Sequence, residues 1–140
     1  MTARYVVVPF KRWHLDWLYA NGAPALLTPD LLAVMEGSNW RTVSLDTGET
    51  IMCGGAIQHW PGRYQLNAFL TKSSGRHMRF LTNATKDFIA RLSGRIEFTV
   101  RCDFPAGHRW AKLLGFDVET YTMRSYGPES EDHTMYVRHQ

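Results

Sequence analysis

A chain of 140 residues, 44% hydrophobic and 13% aromatic, suffices for one well-formed core and falls short of two ordinary domains, so a single domain over 1–140 is expected. The net charge of +3 comes from basic residues spread among carboxylates. That argues against a nucleic-acid-binding face and suits an acidic ligand such as a nucleotide cofactor. No apolar run approaches a membrane span, and the opening MTARYVVVPFKRW is broken by Pro9 and Lys11 too early to act as a secretory signal, which predicts a soluble, cytoplasmic protein.

Residues 4–9 carry the β-branched run YVVVP, a first strand ended by Pro9, and Phe10, Trp13, Trp17 and Leu18 follow at helical spacing. The aromatic cluster around His14 in RWHLDWLY reads as core packing rather than as a cofactor box or a catalytic histidine. After a break at 21–24, Thr28 suits an N-cap and Pro29 the first helical position. Leu31, Leu32 and Met35 then form an inward face that Gly37 ends. Residues 40–46 and 50–59 are two strands of a hairpin joined by Asp46-Thr47-Gly48-Glu49. Gly54-Gly55 inside the second of them implies a bulge or a close backbone approach, and Trp60-Pro61-Gly62 turns the chain into a fourth strand, 64–70, antiparallel to the third.

The loop TKSSGRH at 71–77 leads into a helix over about 75–92, with Met78, Leu81, Phe88, Ile89 and Leu92 on one face and small Ala84 and Thr85 between them. Ser73, Ser74 and Gly75 feed its first turn. Unpaired N–H groups at the positive dipole end thus meet a loop that admits close approach, which makes phosphate the first ligand to test, although the same residues also serve as a plain cap. Residues 95–101 alternate Ile96, Phe98 and Val100 with Glu97, Thr99 and Arg101. They form a fifth strand, partly wet on one face and parallel to the fourth through a β-α-β crossover.

Residues 106–114 form a short helix with Trp110, Ala111 and Leu114 inward and Gly115 closing it. A strand from Phe116, a loop at 126–131 and a last strand at 133–138 complete a hairpin. Cys53 and Cys102 sit on strand-like segments outside CxxC or Cys/His spacing, so both are expected to be buried thiols, with no disulfide and no metal site. The order β-α-α-β-β-β-α-β-α-β-β gives an α/β (α+β) fold, a mixed, mostly antiparallel sheet of about seven strands flanked by helices.

With its long helix after the fourth strand and the stretch GHRWAKLLGF, the chain resembles the GCN5-related N-acetyltransferase (GNAT) superfamily over essentially its whole length. FLTKSSGRHMRF and HRWAKLLGFDVETY are similar to the corresponding stretches of the small acetyltransferase-like proteins of T7-like podophages. The resemblance implies that strands four and five splay apart around acetyl-CoA. The pantetheine arm would pair with the backbone of Phe69, Leu70 and Thr71, and the pyrophosphate would lie on Lys72, Ser73, Ser74, Gly75, Arg76 and His77. The family pattern Q/R-x-x-G-x-G/A is met by a basic start and by Gly75, whereas His77 replaces the last small residue, where an imidazole either crowds the phosphates or hydrogen-bonds them. The family's Asn, and the Tyr that protonates the departing CoA thiolate, fall on Phe104 and Ala111. The habitual general acid is absent, and Ala111→Tyr with Phe104→Asn would restore the pattern.

Acetyl transfer to an amine needs a base, donors for the carbonyl oxygen and an acid for the thiolate. The backbone near Phe69 and Leu70 serves the carbonyl. Glu97 and His59 are the candidate bases, each also readable as a structural or surface residue, and Tyr121 is a candidate acid with Tyr126 and His108 as substitutes. Two functions follow. One is an acetyl-CoA-dependent N-acetyltransferase with an amine or protein acceptor, favoured by Lys72, Gly75 and Arg76. The other is a catalytically inactive protein of the same fold that binds a host or virion partner, favoured by Phe104, Ala111 and His77. A phage-encoded protein of either kind would work in the infected bacterial cytoplasm.

Overall fold

Turn chemistry and apolar alternation place the strands where the sequence suggests them. The computed structural model describes residues 4–16, 29–37 and 40–140. In chain order these form β1 (Tyr5–Pro9), α1 (Pro29–Gly37), β2 (Arg41–Leu45), β3 (Thr50–Trp60), β4 (Arg63–Leu70), a 3-10 turn (Ser74–His77), α2 (Met78–Ile89), β5 (Arg95–Arg101), α3 (Pro105–Leu113), β6 (Asp117–Met123) and β7 (His133–His139). The seven strands make one mixed sheet in the order β1-β2-β3-β4-β5-β7-β6, flanked by helices. Arg63, Tyr64 and Gln65 of β4 stand parallel to Arg95, Ile96 and Glu97 of β5. The expected Trp17, Leu18 and Thr28 contributions, and the break at 21–24, lie outside the described residues, as does the side chain of Leu31.

The chain falls into two compact units. One combines the described residues up to Ile57 with Leu66–Met78, and the other combines Gln58–Gln65 with Arg79–Gln140. In the first, β2 pairs antiparallel with both β1 and β3. A bulge lies at Ile51: Val43 faces Met52 and Ser44 faces Thr50, so Ile51 is an extra residue. The expected close approach is at Gly55, where a Cβ would stand 2.6 Å from the Trp40 ring, so only glycine leaves room for that indole.

Phe10, Leu15, Met35, Trp40 and Cys53 form the core of this unit, with Leu32, Ile57 and Phe69 against them. His14 is buried among them. Its Nδ1 accepts the Lys11 amide at 2.9 Å and lies 2.8 Å from the Thr42 hydroxyl. Because that ring nitrogen is already an acceptor, Thr42 donates to it, and the Cys53 thiol 3.1 Å from Thr42 Oγ1 donates in turn. Burial, then nearby Lys11, lowers the His14 pKa, and burial pushes the Cys53 thiol up to about 11. Trp13 departs from the expected inward face and is 67% exposed. It lies in the turn that leads into the helical residues 14–16, with the His14, Leu15 and Asp16 amides bonded to the carbonyls of Lys11, Arg12 and Trp13.

In the second unit α2 buries Leu81 and Ile89, with Leu92 just beyond its end. It is shorter than the expected 75–92 because its first turn is the 3-10 segment. The Gln140 amide donates to Ile89 O and Leu92 O at 2.7 and 2.8 Å, closing the helix at its C-terminal end. β5 pairs antiparallel with β7 along its full length, and β7 pairs with β6. Phe98 packs edge-on to Phe116 and stacks on Tyr136. Trp110 of α3 donates its indole N–H to Thr82 of α2 at 2.9 Å.

Both cysteines are free, and Cys53 is buried as expected, but Cys102 is exposed. β5 ends at Arg101, so Cys102 sits in the following turn rather than on the strand. A thiol reagent applied to the native protein is expected to label Cys102 within minutes and to spare Cys53 until the protein unfolds; mass spectrometry of the labelled protein checks this. Among the described residues no helix is long and apolar enough to cross a membrane.

Candidate functional site

Thr71, at the end of β4, is buried and anchors the segment that follows. Its amide donates to Ile51 O at 3.1 Å and its hydroxyl lies 3.3 Å from the same oxygen, while its own carbonyl accepts the Ser74 amide at 3.1 Å. The Thr71 backbone is therefore fully committed, which narrows the expected pairing range of Phe69 to Thr71. Since successive residues of a strand point their N–H and C=O groups to opposite sides, Leu70 is the residue whose groups point away from those of Thr71. Phe69 packs its ring on Trp40.

Within the loop, Lys72, Gly75 and Arg76 are exposed and Ser74 is buried. Gly75 has open space where a side chain would begin. Ser73 Oγ lies 3.1 Å from Thr71 Oγ1 and donates to Glu49 Oε1 at 2.9 Å. His77 Nδ1 lies 2.8 Å from the Tyr5 hydroxyl, with the two rings edge to face at 5.5 Å. Glu49 and Tyr5 are neighbours that sequence reasoning missed, because each is brought in from an element more than twenty residues away.

The three catalytic candidates have different surroundings. Glu97 is only 3% exposed, which corrects the expectation of a wet face at that position. Arg63 donates twice to its Oε1, at 2.9 and 2.6 Å, and Arg95 donates to Oε2 at 2.6 Å. Burial alone would raise the Glu97 pKa, but the two guanidinium groups outweigh it and hold the carboxyl below its ordinary value, so it is a poor proton acceptor. His59 is exposed at the end of β3 and donates from Nε2 to Gln65 Oε1 at 2.8 Å. Gln65 stands opposite Glu97 in the β4–β5 ladder. Tyr121 is 78% exposed on β6, the edge strand. No hydrogen bond or ion pair joins these three among the described residues.

Of the substitute acids, Tyr126 is exposed beside His133. His108 serves as a brace: Nε2 lies 3.0 Å from Arg101 O and 3.3 Å from Cys102 O. Those carbonyls only accept, so Nε2 carries the proton and Nδ1, 2.7 Å from the Tyr136 hydroxyl, accepts from it. Ala111 is completely buried while Phe104 is 53% exposed. A tyrosine at 111 would therefore have to displace packed neighbours of α3. Ala111→Tyr is expected to cost about 1–3 kcal/mol by overpacking, read as a lowered midpoint in urea unfolding.

No protein-family model matches this sequence, and no curated protein matches it. Solved structures do. The ribosomal-protein-S18-alanine N-acetyltransferase from Escherichia coli is 16% identical over 96% of this chain and 92% of its own, with a TM-score of 0.66. Spermidine/spermine N-acetyltransferase SpeG from Vibrio cholerae is 13% identical over 96% and 91%, at 0.71. The yncA protein from Salmonella typhimurium, provisionally described as an acetyltransferase and solved with its cofactor acetyl-CoA, is 13% identical over 97% and 94%, at 0.72. At these identities the likeness is one of architecture, and the chain has the fold of the GNAT acetyltransferases.

Proposed function

We propose that this protein binds acetyl-CoA along Leu70 and the loop 71–77 and transfers the acetyl group to an amine. The observation that carries this reading is the exposed Gly75 with open space above it, flanked by exposed Lys72 and Arg76 on a loop pinned to Ile51 through Thr71. The Leu70 backbone is suited to pair with the pantetheine arm, and the two cations to neutralise the pyrophosphate. His59 rather than Glu97 is the better candidate proton acceptor, because its imidazole is exposed and bonded to Gln65 rather than to a guanidinium. The yncA structure with acetyl-CoA supports the cofactor. The likeness of the loop and of the α3 region to T7-like podophage proteins supports a phage-encoded enzyme acting in the bacterial cytoplasm.

Ala111 favours a second reading. With no side chain at that buried position to protonate the thiolate, a protein of this fold can also act as a non-catalytic binder of a host or virion partner. Loss of a positioned acid costs about 10² to 10⁴ in rate, so slow turnover is expected unless Tyr121 or solvent supplies the proton. Calorimetric titration with acetyl-CoA, followed by a thiol-release assay over a panel of amines and peptides, separates the readings. Micromolar binding with release on any acceptor supports the enzyme. No heat at a millimolar, where a binding free energy of about −4 kcal/mol still registers, leaves the partner-binding scaffold as the better account.

A further inference from the structure

Two polar groups of the loop are already engaged. The Ser73 hydroxyl proton is directed to the Glu49 carboxylate, and Ser74 is buried with its amide given to Thr71 O. Among the loop's side chains, the cations Lys72 and Arg76 are exposed and the imidazole of His77 is half-buried. His77 has one hydrogen-bond partner among the described residues, the Tyr5 hydroxyl at Nδ1. A phenol O–H is a good donor and a poor acceptor, whereas the bare nitrogen of a neutral imidazole is a strong acceptor, so Tyr5 donates and Nδ1 accepts. The ring proton then resides on Nε2, on the opposite side of the imidazole. The edge-to-face contact with Tyr5, at 84°, limits rotation of the ring.

We propose that His77, oriented by Tyr5, donates from Nε2 to a phosphate oxygen of the bound cofactor, alongside the backbone N–H groups of the loop. This rests on the acetyl-CoA reading above. His77 is the phosphate-binding residue and Tyr5 a positioning residue, which gives the outer strand β1 a part in cofactor binding. Tyr5 pairs with Leu45, and the Arg4 carbonyl accepts the Asp46 amide at 3.0 Å. The strand that aims His77 is thereby fastened to the hairpin whose Glu49 occupies Ser73.

The test combines calorimetry with CoA and long-range proton–nitrogen NMR of the His77 ring. In the free protein, at a pH where the ring is neutral, Nδ1 is expected to show the shift of an unprotonated nitrogen and Nε2 that of an N–H. The tautomer preference should weaken in Tyr5→Phe. His77→Phe is expected to weaken CoA binding roughly tenfold or more, the loss of one charge-assisted hydrogen bond. His77→Gln, whose amide nitrogen can reach the place of Nε2, should retain most of the affinity, and Tyr5→Phe should lose about threefold. Wild-type binding that His77→Phe leaves unchanged or tightens would overturn the role of His77 and leave the acetyl-CoA reading intact, as would a proton found on Nδ1. Failure of the wild-type protein to bind CoA would overturn both.

Discussion

Gly75→Asp is expected to eliminate acetyl-CoA binding while leaving the protein folded. The position is exposed and nothing stands where the new Cβ would go, so the free protein accepts the side chain without strain. An acidic residue ahead of α2 also complements the helix dipole, and the thermal midpoint should stay level or rise slightly. A bound pyrophosphate changes the balance: the carboxylate would occupy the space between Lys72 and Arg76, neutralise the cations and repel the phosphates at short range. Affinity is expected to fall beyond about millimolar, weaker than about −4 kcal/mol. Gly75→Ala, which adds bulk without charge, should keep part of it. Calorimetry on the three proteins decides, and wild-type affinity in Gly75→Asp would remove the cofactor from this loop.

Glu97→Gln should produce the largest loss of stability among single conservative changes. The carboxylate is buried between Arg63 and Arg95, and Arg95 also reaches Glu119 at 2.7 Å. Removing the negative charge leaves two guanidinium groups beside a neutral amide. The cost expected is about 3 kcal/mol, the lower end of the range for breaking a buried pair, because the arginine side chains are 30% and 28% exposed and solvent screens them in part. The pH dependence follows from the sign of the shift. The folded-state pKa of Glu97 lies below the ordinary 4.5, so its contribution is complete above that value and disappears as the pH falls through the lower, folded-state pKa. Urea denaturation of the wild type between pH 7 and pH 3 should show this acid-side loss, and Glu97→Gln should be lower at pH 7 and flatter below 4.5. Equal stability of the two proteins at neutral pH would remove the ion-pair network from any account of the fold.

What could be read from the residues alone was local. The turn at Asp46 to Glu49, the inward face of Leu81 and Ile89, the parallel β4–α2–β5 unit and the close approach at Gly55 all follow from spacing or from the chemistry of one residue. Errors arose where a partner far along the chain decides the outcome. Glu97 alternates as a solvent-facing residue should, yet Arg63, 34 positions earlier, is its partner in a buried ion pair. That Glu49 holds the Ser73 hydroxyl, and that Tyr5 stands beside His77, is likewise invisible in the loop's own residues. Cys102 was misplaced by a single residue, since burial on a strand does not extend into the turn beyond it. Ala111 lies on the inward face that periodicity assigns it, but whether an inward face borders a ligand or a packed interior is not encoded in spacing.

The strand order has a consequence for how the chain comes to be folded. β7 follows β6 in sequence, yet it lies inside the sheet between β5 and β6, and Gln140 just after it holds the carbonyls that end α2. During synthesis β5 and β6 emerge before the strand that pairs with both, so each presents an unpaired edge to its surroundings until β7 arrives. Contacts of such long sequence separation slow folding. Strand-by-strand growth in chain order is thereby excluded for this part of the sheet, and β5 and β6 are most exposed to aggregation or chaperone capture in the interval before β7 leaves the ribosome.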